Sequence, residues 1–209
     1  MSTHPAAQTH VEIERSYETP ADTPVPDLTA VEGVAAVDVE PTRHLEATYV
    51  DTADLALTRA RITCRRRVGG TDDGWHLKLP GGAGDGADTR RELQAPLADE
   101  LPAVIADAVR EVTTEPLLPL VLVVNDRTTS LLRDAGGRVL AELCDDHVTT
   151  HGLRDGVPTQ SWAEWECELV DGDEALLDRV EAALLAAGAT RLQLASKLVR
   201  ALGPLAREV

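Results

Sequence analysis

The chain has 209 residues, of which 36 are acidic and 20 are basic, and its formal net charge is −16. This acidic balance argues against a general binder of nucleic acid or of anionic membranes, because such proteins neutralise phosphate groups with a basic surface. Hydrophobic residues make up 43% of the chain, which is enough for a sizeable core. The length predicts one domain over residues 1–209.

Three further features predict a cytoplasmic protein. We also expect a monomer or a homodimer. The cysteines, Cys64, Cys144 and Cys167, lie far apart without a C-x-x-C pair, which argues against a zinc site and a disulfide framework. The longest apolar run, residues 117–124, is too short to span a membrane. The first ten residues lack the basic-then-apolar order of a signal peptide. We therefore expect an intracellular chain in a reducing compartment.

Alternating apolar and polar residues, the pattern typical of half-buried strands, occur along most of the chain. Strand patterns cover residues 10–17, 61–68, 75–79, 90–95, 121–129, 139–148 and 162–170, with a turn signal, GGTDDG, at 69–74. Residues 20–41 predict a loop with a short helix. Helical patterns cover residues 98–112, where Asp99 is a candidate N-cap, 174–187 and 192–202. This order predicts an α+β protein with a large antiparallel sheet or a closed barrel.

Several of the predicted strands carry charged residues along one face. Side chains at i and i+2 of a strand share a face, so the charged residues of each strand can be grouped. The groups are Glu12 and Glu14; Arg61, Arg65 and Arg67; His76 and Lys78; Arg90 and Glu92; Asn125 and Arg127; Glu142 and Asp146; and Glu164, Glu166 and Glu168. Trp75 and Trp165 fall on the opposite, apolar faces, which predicts that they pack outside the charged surface.

A solvated charged face is the ordinary interpretation of any one such strand. Together, however, faces of a single sign cost stability unless an opposite charge lies between them. A barrel with a charged interior would meet this condition, because Arg and Lys bind phosphate oxygens and carboxylates bind hard cations. The residues therefore indicate a phosphate compound held with Mg²⁺ or Mn²⁺ in a charged cavity.

The same residues, taken in order, resemble the motifs of the CYTH domain, the fold of the triphosphate tunnel metalloenzymes. The matching segments are E-x-E in VEIERSYE at 11–18, YVDTADLALTRARITCRRR at 49–67, GWHLKLP at 74–80, R-R-E at 90–92, Arg127, D-x-V at 146–148, E-C-E-L at 166–169 and S-K at 196–197. Of the 20 basic residues 18 are Arg, and both lysines, Lys78 and Lys197, fall in these motifs. The resemblance covers nearly the whole chain.

The resemblance implies an eight-stranded antiparallel barrel, or tunnel, with flanking helices, the C-terminal ones within about 174–202. It implies that a triphosphate is bound by Arg65, Arg67, Lys78, Arg127 and Lys197. It implies metal ligation by Glu12, Glu14, Asp146, Glu166 and Glu168, with Asp146 and Lys78 taking part in catalysis. Further tunnel residues with less defined roles are Glu142, Glu164, Arg61, Arg90 and Glu92. His76 would either touch phosphate or serve as a hydrogen-bonded structural residue.

The chain departs from the family pattern at Ser16, where the E-x-E-x-K motif has lysine. Strand alternation places Ser16 on the face of Glu12 and Glu14, so we expect its hydroxyl to reach the same cavity. In the family this lysine lies near the reacting phosphoryl group. The resemblance therefore implies slower chemistry here, or binding without turnover.

Three functions are compatible with the sequence. The first is a metal-dependent triphosphatase, with inorganic tripolyphosphate as the simplest substrate. The second is a class IV-type adenylyl cyclase, which would need adenine recognition and activation of a ribose hydroxyl, for which the chain shows no motif. The third is a polyphosphate-binding or triphosphate-binding module without turnover, which the serine at position 16 favours.

Overall fold

The computed structural model describes residues 7–82, 86, 88–192 and 196–208. The strands are β1 (Gln8–Thr19), β2 (Ala36–Val39), β3 (Arg43–Asp51), β4 (Thr63–Val68), β5 (Gly74–Pro80), β6 (Thr89–Pro96), β7 (Leu118–Arg133), β8 (Val139–Gly152), β9 (Gln160–Leu169) and β10 (Thr190–Arg191). The helices are α1 (Ala56–Arg59), α2 (Ala103–Arg110), α3 (Glu174–Ala186) and α4 (Lys197–Leu202), with 3-10 turns at Leu28–Ala30 and Gly203–Glu208.

Eight of these strands close into an antiparallel barrel. Their order is β1-β6-β5-β4-β3-β7-β8-β9, and β9 pairs with β1 to complete the ring. The first half of β1 pairs with β6 and its second half with β9, so this one long strand joins both edges. The short β2 and β10 pair with β7 and β1 beside the barrel. The predicted α+β class and eight-stranded barrel are confirmed.

Helices cover the apolar outer face of the barrel. α3 places Leu177 in one hydrophobic cluster with Trp165 of β9, and α2 places Ile105 in a second cluster with Trp75 of β5. Burying an aliphatic side chain of this kind contributes roughly 1.5–3 kcal/mol. Both tryptophans therefore pack outside the charged surface, as the alternation of their strands predicted.

One end of the barrel interior is apolar and packs against α4. Tyr49, Val121 and Val148 form a cluster there with Leu198 of α4. Because Lys197 is the first residue of α4, this packing carries its side chain into the charged part of the interior. The interior is thus asymmetric, with apolar packing at one end and charged side chains toward the other.

The prediction for the helix over residues 98–112 is wrong at its start. α2 begins at Ala103 and ends at Arg110, and Pro102 occupies the N-cap position. Because proline disfavours helical geometry in the residue before it, the helix cannot extend back toward Asp99. Asp99 is therefore not the N-cap.

The strand predicted from residue 61 begins at Thr63 instead. Arg61 has a φ of +60°, which is incompatible with an extended strand, and its side chain is exposed. Arg61 therefore does not share a face with Arg65 and Arg67, and its predicted place in the tunnel is wrong. The alternation of polar and apolar residues did not predict β2, β3 or the two-residue β10.

The helix predicted over 192–202 forms only from Lys197, and residues 193–195 lie outside the described part of the chain. Leu192 extends the pairing of β10 instead, because its backbone N–H donates to the carbonyl of Ser16 at 2.9 Å. The helix predicted at 174–187 is confirmed as α3, capped by Asp173. No helix within the described residues is long and apolar enough to cross a bilayer.

Candidate active site in the barrel interior

The charged faces of the strands enclose a cavity of about 220 Å³. All the residues predicted to bind phosphate line it, as do most of the predicted metal ligands. They are Arg65, Arg67, Lys78, Arg127 and Lys197 for phosphate, and Glu12, Glu14, Glu166 and Glu168 for metal. Asp146 is fully buried and reaches this cavity through its contacts with two of the basic residues.

One side of the cavity holds a group that we name the paired cluster, comprising Asp146, Glu164, Glu166, Arg127 and Lys197. Arg127 donates Nε and Nη2 to the two oxygens of Asp146 at 2.7 and 2.6 Å, and Nη2 also reaches Glu166 at 2.6 Å. Lys197 Nζ lies 2.6–2.8 Å from all three carboxylates. Every carboxylate of the paired cluster therefore has a cationic partner.

The charges of the paired cluster stabilise one another. Burial by itself raises the pKa of Glu166, but Lys197 and Arg127 outweigh burial and lower this pKa to about 2. The same two cations hold the pKa of Asp146 below its usual range although burial opposes them. Burial would lower the pKa of Lys197, yet the carboxylates raise it well above its usual value. Asp146, Glu166, Arg127 and Lys197 are therefore ionised at neutral pH.

Beside it lies what we name the open cluster, comprising Glu12, Glu14, Glu168 and Lys78. Lys78 Nζ lies 2.6 Å from Glu12 Oε2 and 3.3 Å from Glu14 Oε2. Glu168 stands directly opposite Glu14 in the pairing of β1 with β9. Glu168 has no ion-pair partner within the described residues. Glu12 and Glu14 share the ammonium group of Lys78, and Glu14 Oε1 also lies 3.9 Å from Arg90 Nε.

Crowding of carboxyl groups in the open cluster favours a bound cation. Burial, followed by the charges of Glu12 and Glu14, raises the pKa of Glu168 to about 8. Burial also raises the pKa of Glu12, with Glu92 and Glu14 adding to the effect against the opposing charge of Lys78. All three donors are carboxylate oxygens, which are the ligands that Mg²⁺ and Mn²⁺ prefer. The residues present therefore fit a hard divalent ion.

Two tighter groups of possible ligands also occur among the described residues, each with its ligand atoms within 4.8 Å of one another. They are His10, Glu12 and Glu92, and Asp146, Glu164 and Glu166. The second group already contacts Arg127 and Lys197. Within the described residues Glu12, Glu14 and Glu168 do not form a group that close, and Mg²⁺, which keeps several of its waters, needs few direct protein ligands.

The arginines form a positively charged wall of the cavity. Burial, followed by the charges of Arg65 and Arg127, lowers the pKa of Arg67 to about 9. Arg65 donates to the hydroxyl of Tyr49 at 3.0 Å, and Arg67 forms an ion pair with Asp72. Crowding of like charge in a buried place indicates a site that gains from binding an anion.

His76 is a structural residue of this region, the second of its two predicted interpretations. Its ring is fully buried, with Nδ1 3.1 Å from Glu92 Oε1 and Nε2 2.9 Å from the carbonyl of Asp72. Burial, followed by the charges of Arg65 and Arg67 against the hydrogen bond to Glu92, lowers the pKa of His76 to about 4. The ring is therefore neutral at pH 7 and holds Glu92 in place.

Seven cavity residues lay outside the sequence prediction: His10, Tyr49, Thr63, Asp72, Gln94, Cys144 and Ser196. His10 and Cys144 could have been found, because they lie two residues from Glu12 and from Glu142 on the same strand faces. Glu142, Arg90 and Glu92, which were predicted with less defined roles, do line the cavity, and Glu164 belongs to the paired cluster.

Ser16 lies beside the cavity rather than in it, which corrects one prediction. It shares the face of Glu12 and Glu14 and stands opposite Glu166 in the β1–β9 pairing. However, it lines an adjoining cavity of about 240 Å³, which shares Glu166 and Lys197 with the first. The Ser16 hydroxyl is buried without a hydrogen-bond partner in the described part of the chain.

Comparisons with known proteins agree with this fold and show the family. The family model for the CYTH domain matches residues 11–202. Uncharacterized proteins MT2285 and Rv2226, from two strains of Mycobacterium tuberculosis, are each 41% identical over 95% of this chain. The chain covers 41% of the length of each of these curated relatives.

Two solved structures share the fold. A candidate adenylate cyclase from Bacillus halodurans (bh2851) has a TM-score of 0.64 at 19% identity, covering 92% of this chain and 97% of its own. HpAC1 from Hippeastrum, a candidate adenylyl cyclase described as having a dominant triphosphatase activity, has a TM-score of 0.53 at 16% identity, with 95% of each chain covered. At these identities the likeness supports the fold alone.

Proposed function

The chain belongs to the CYTH domain family, and on this premise we propose that its barrel binds a triphosphate with a divalent metal ion and hydrolyses it. Members of the family are triphosphatases or cyclases, and inorganic tripolyphosphate is the simplest substrate. The observation that carries the proposal is the facing of two charged walls, the arginines and the open cluster, across one cavity of about 220 Å³. Such a cavity suits a polyanion and a cation together.

The basic residues bind and orient the phosphates. The planar forks of Arg65 and Arg67 match pairs of phosphate oxygens, whereas Lys78 acts as a compact point charge. Phosphoryl transfer has a loose transition state with charge on the equatorial oxygens, so positioned cations supply most of the rate. Arg127 and Lys197 are held in place for this role by the buried carboxylate of Asp146.

The metal ion belongs to the open cluster. Glu12, Glu14 and Glu168 would hold it, and Glu166 and Asp146, also predicted as ligands, stay engaged by the cations of the paired cluster. When bound, Mg²⁺ or Mn²⁺ neutralises phosphate charge and orients the attacking water. The proposed catalytic contribution of Asp146 is to fix Arg127 and Lys197, and that of Lys78 is to contact phosphate directly.

A triphosphatase fits the cavity better than a cyclase does. Among the residues lining the cavity within the described chain, Tyr49 is the aromatic one, and its ring and hydroxyl contact Arg65. It is therefore already engaged and offers no free surface to an adenine ring. The triphosphatase activity described for HpAC1 agrees with this choice. A binding module without turnover remains the second candidate, because Ser16 brings no positive charge near Glu166.

The expected location is the cytoplasm. Cys64, Cys144 and Cys167 are all free and buried, which is the state that a reducing compartment maintains. Burial raises the pKa of each thiol, to about 12, 11 and 12 respectively. The thiols are therefore unreactive, and their role is packing rather than chemistry.

Phosphate release from tripolyphosphate, ATP and thiamine triphosphate with Mg²⁺ or Mn²⁺ tests the proposal. We expect release from tripolyphosphate that a chelator abolishes. Glu14→Gln should lower this release by at least about 10²-fold, because the metal supplies several kcal/mol of transition-state stabilisation. Glu46→Gln, on the exposed face of β3, is the matched control and should leave the rate unchanged.

Release that persists in chelator would contradict the metal-dependent mechanism. Binding of tripolyphosphate without any release would favour the binding module. Production of cyclic AMP from ATP as the main reaction would favour the cyclase.

A further inference from the structure

Arg67 is the basic residue of the cavity whose positive charge is most destabilised by its surroundings, and it would gain most from an anion. It lies within the cavity, 9% exposed, beside the positive charges of Arg65 and Arg127. Its Nε atom is buried and has no hydrogen-bond partner in the described residues. Arg67 therefore provides strong binding for whichever negative group reaches it.

The negative group that reaches Arg67 in this structure belongs to the protein itself. The carboxylate of Asp72 forms an ion pair with the Arg67 guanidinium. Asp72 lies in the turn between β4 and β5, where it lines both the cavity and a hollow on the outside of the barrel. The carboxylate thus occupies a place that a phosphate group would otherwise take.

The turn keeps its shape independently of the Asp72 carboxylate. Gly69 has a φ of +96°, and a Cβ atom there would lie 2.0 Å from the carbonyl oxygen of His44, so only glycine fits. The backbone carbonyl of Asp72 is held by His76, and Asp73 Oδ1 closes the turn by accepting from the N–H of Gly70 at 2.8 Å. The Asp72 side chain is 41% exposed, so solvent lies beside the carboxylate that contacts Arg67.

We propose that Asp72 is an internal competitor for the phosphate site, occupying Arg67 when the barrel is empty and leaving it when a phosphate binds. This inference rests on the proposed function and adds to it a means by which the chain regulates its own affinity. A carboxylate carries one negative charge and a terminal phosphate up to two, so phosphate displaces the carboxylate at sufficient concentration.

The free energy needed to displace the Asp72 carboxylate from Arg67 sets the size of the effect on phosphate affinity. A competitor that closes a site lowers the apparent affinity in proportion to the fraction of protein in which the site is open. Partly exposed ion pairs are worth about 1 kcal/mol, which corresponds to roughly a fivefold effect on affinity. Removing the Asp72 charge should therefore tighten binding about threefold to tenfold.

Calorimetric titration of the whole chain with inorganic tripolyphosphate in a chelator tests the proposal. Asp72→Asn and Asp72→Ala should both lower Kd about threefold to tenfold. Asp73→Asn is the matched control in the same turn, because asparagine keeps the acceptor for Gly70, and its Kd should equal that of the wild type. A purely structural role for Asp72 predicts the opposite sign, because loss of the turn would weaken binding.

The role of Asp72 and the phosphate site itself are contradicted by different results. Equal or weaker binding by both Asp72 variants, with wild-type binding intact, would overturn the role of Asp72 and leave the phosphate site standing. Equal tightening by Asp73→Asn would also overturn it, because general loss of negative charge would then explain the gain. No tripolyphosphate binding by any of the four proteins would overturn the phosphate site itself.

Discussion

The paired cluster and the open cluster lie side by side in one barrel and both combine carboxylates with basic residues, yet they differ in charge balance. In the paired cluster Asp146, Glu164 and Glu166 contact two cations at 2.6–2.8 Å. In the open cluster Glu12 and Glu14 share the ammonium group of Lys78, and Arg90 Nε lies 3.9 Å from Glu14. Glu168 is left without an ion-pair partner in the described residues.

Glu166 and Glu168 show what this difference means physically. They lie two residues apart on one face of β9, and burial raises the pKa of both. Even so, neighbouring cations bring the pKa of Glu166 to about 2, whereas neighbouring carboxylates help to bring that of Glu168 to about 8. Neighbouring charges, rather than burial, therefore distinguish the two clusters. The carboxylates of the paired cluster are neutralised by its own cations, whereas the open cluster gains by binding a metal ion.

Removing the ammonium of the paired cluster is expected to have the largest effect on stability. Lys197→Met removes the ammonium that contacts all three carboxylates, and the Lys197 side chain is 7% exposed. Arg127 would still contact Asp146 and Glu166, and Glu164 would keep the more distant Arg200 at 3.8 Å. Breaking a buried ion pair in this way costs about 3–5 kcal/mol, to be measured by urea denaturation. Arg59→Met, which removes an exposed ion pair with Asp54, should cost less than about 1 kcal/mol. Equal losses for the two variants would contradict the account.

Lowering the pH should reduce the free energy of unfolding through His76, which is buried and neutral beside the open cluster. The pKa of His76 is about 4 in the folded chain, against 6.5 for the free group, so the unfolded chain binds more protons between these values. Stability should therefore fall as the pH drops from about 6.5 to 4, by up to about 3 kcal/mol from this residue.

His76→Gln is the variant that isolates this effect. The difference in unfolding free energy between wild type and His76→Gln should shrink across the same pH window, because glutamine does not titrate. A difference that stays constant from pH 7 to 4 would show that His76 is not held neutral by its surroundings.

Lysine at position 16 should have the smallest effect of these changes. Ser16 stands opposite Glu166, but Lys197 Nζ already lies 2.6 Å from that carboxylate. A second ammonium at Ser16→Lys would enter the adjoining cavity, so we expect kcat for tripolyphosphate to change less than about threefold. A gain of about 10²-fold or more, the typical worth of a positioned proton-transfer group, would show instead that the missing lysine limits the reaction.

Strand alternation predicted most of the site because a barrel keeps the faces of its strands strictly apart. The two-residue period placed Glu12 and Glu14, and Glu166 and Glu168, on shared strand faces, and the single sign of these faces with the family resemblance placed them inside a barrel. Arg61 could not be excluded in the same way, because its left-handed backbone ends the alternation and leaves no trace in the pattern of polar residues.

The distinction between the two clusters was beyond the sequence. It depends on where α4 brings Lys197, and so on packing at the apolar end of the barrel rather than on any local motif. Asp72 was missed for a related reason. The turn at 69–74 was predicted, but the contact between Asp72 and Arg67 depends on how the turn folds back over the cavity.

Titration with Mn²⁺, followed by electron paramagnetic resonance of the free ion, tests most directly whether the open cluster holds the metal. Glu168→Gln should weaken Mn²⁺ binding at least about tenfold, whereas Glu164→Gln, in the paired cluster on the same strand face, should keep the wild-type Kd within about threefold. The reverse result, with binding lost in Glu164→Gln and kept in Glu168→Gln, would contradict the account and assign the metal to the paired cluster.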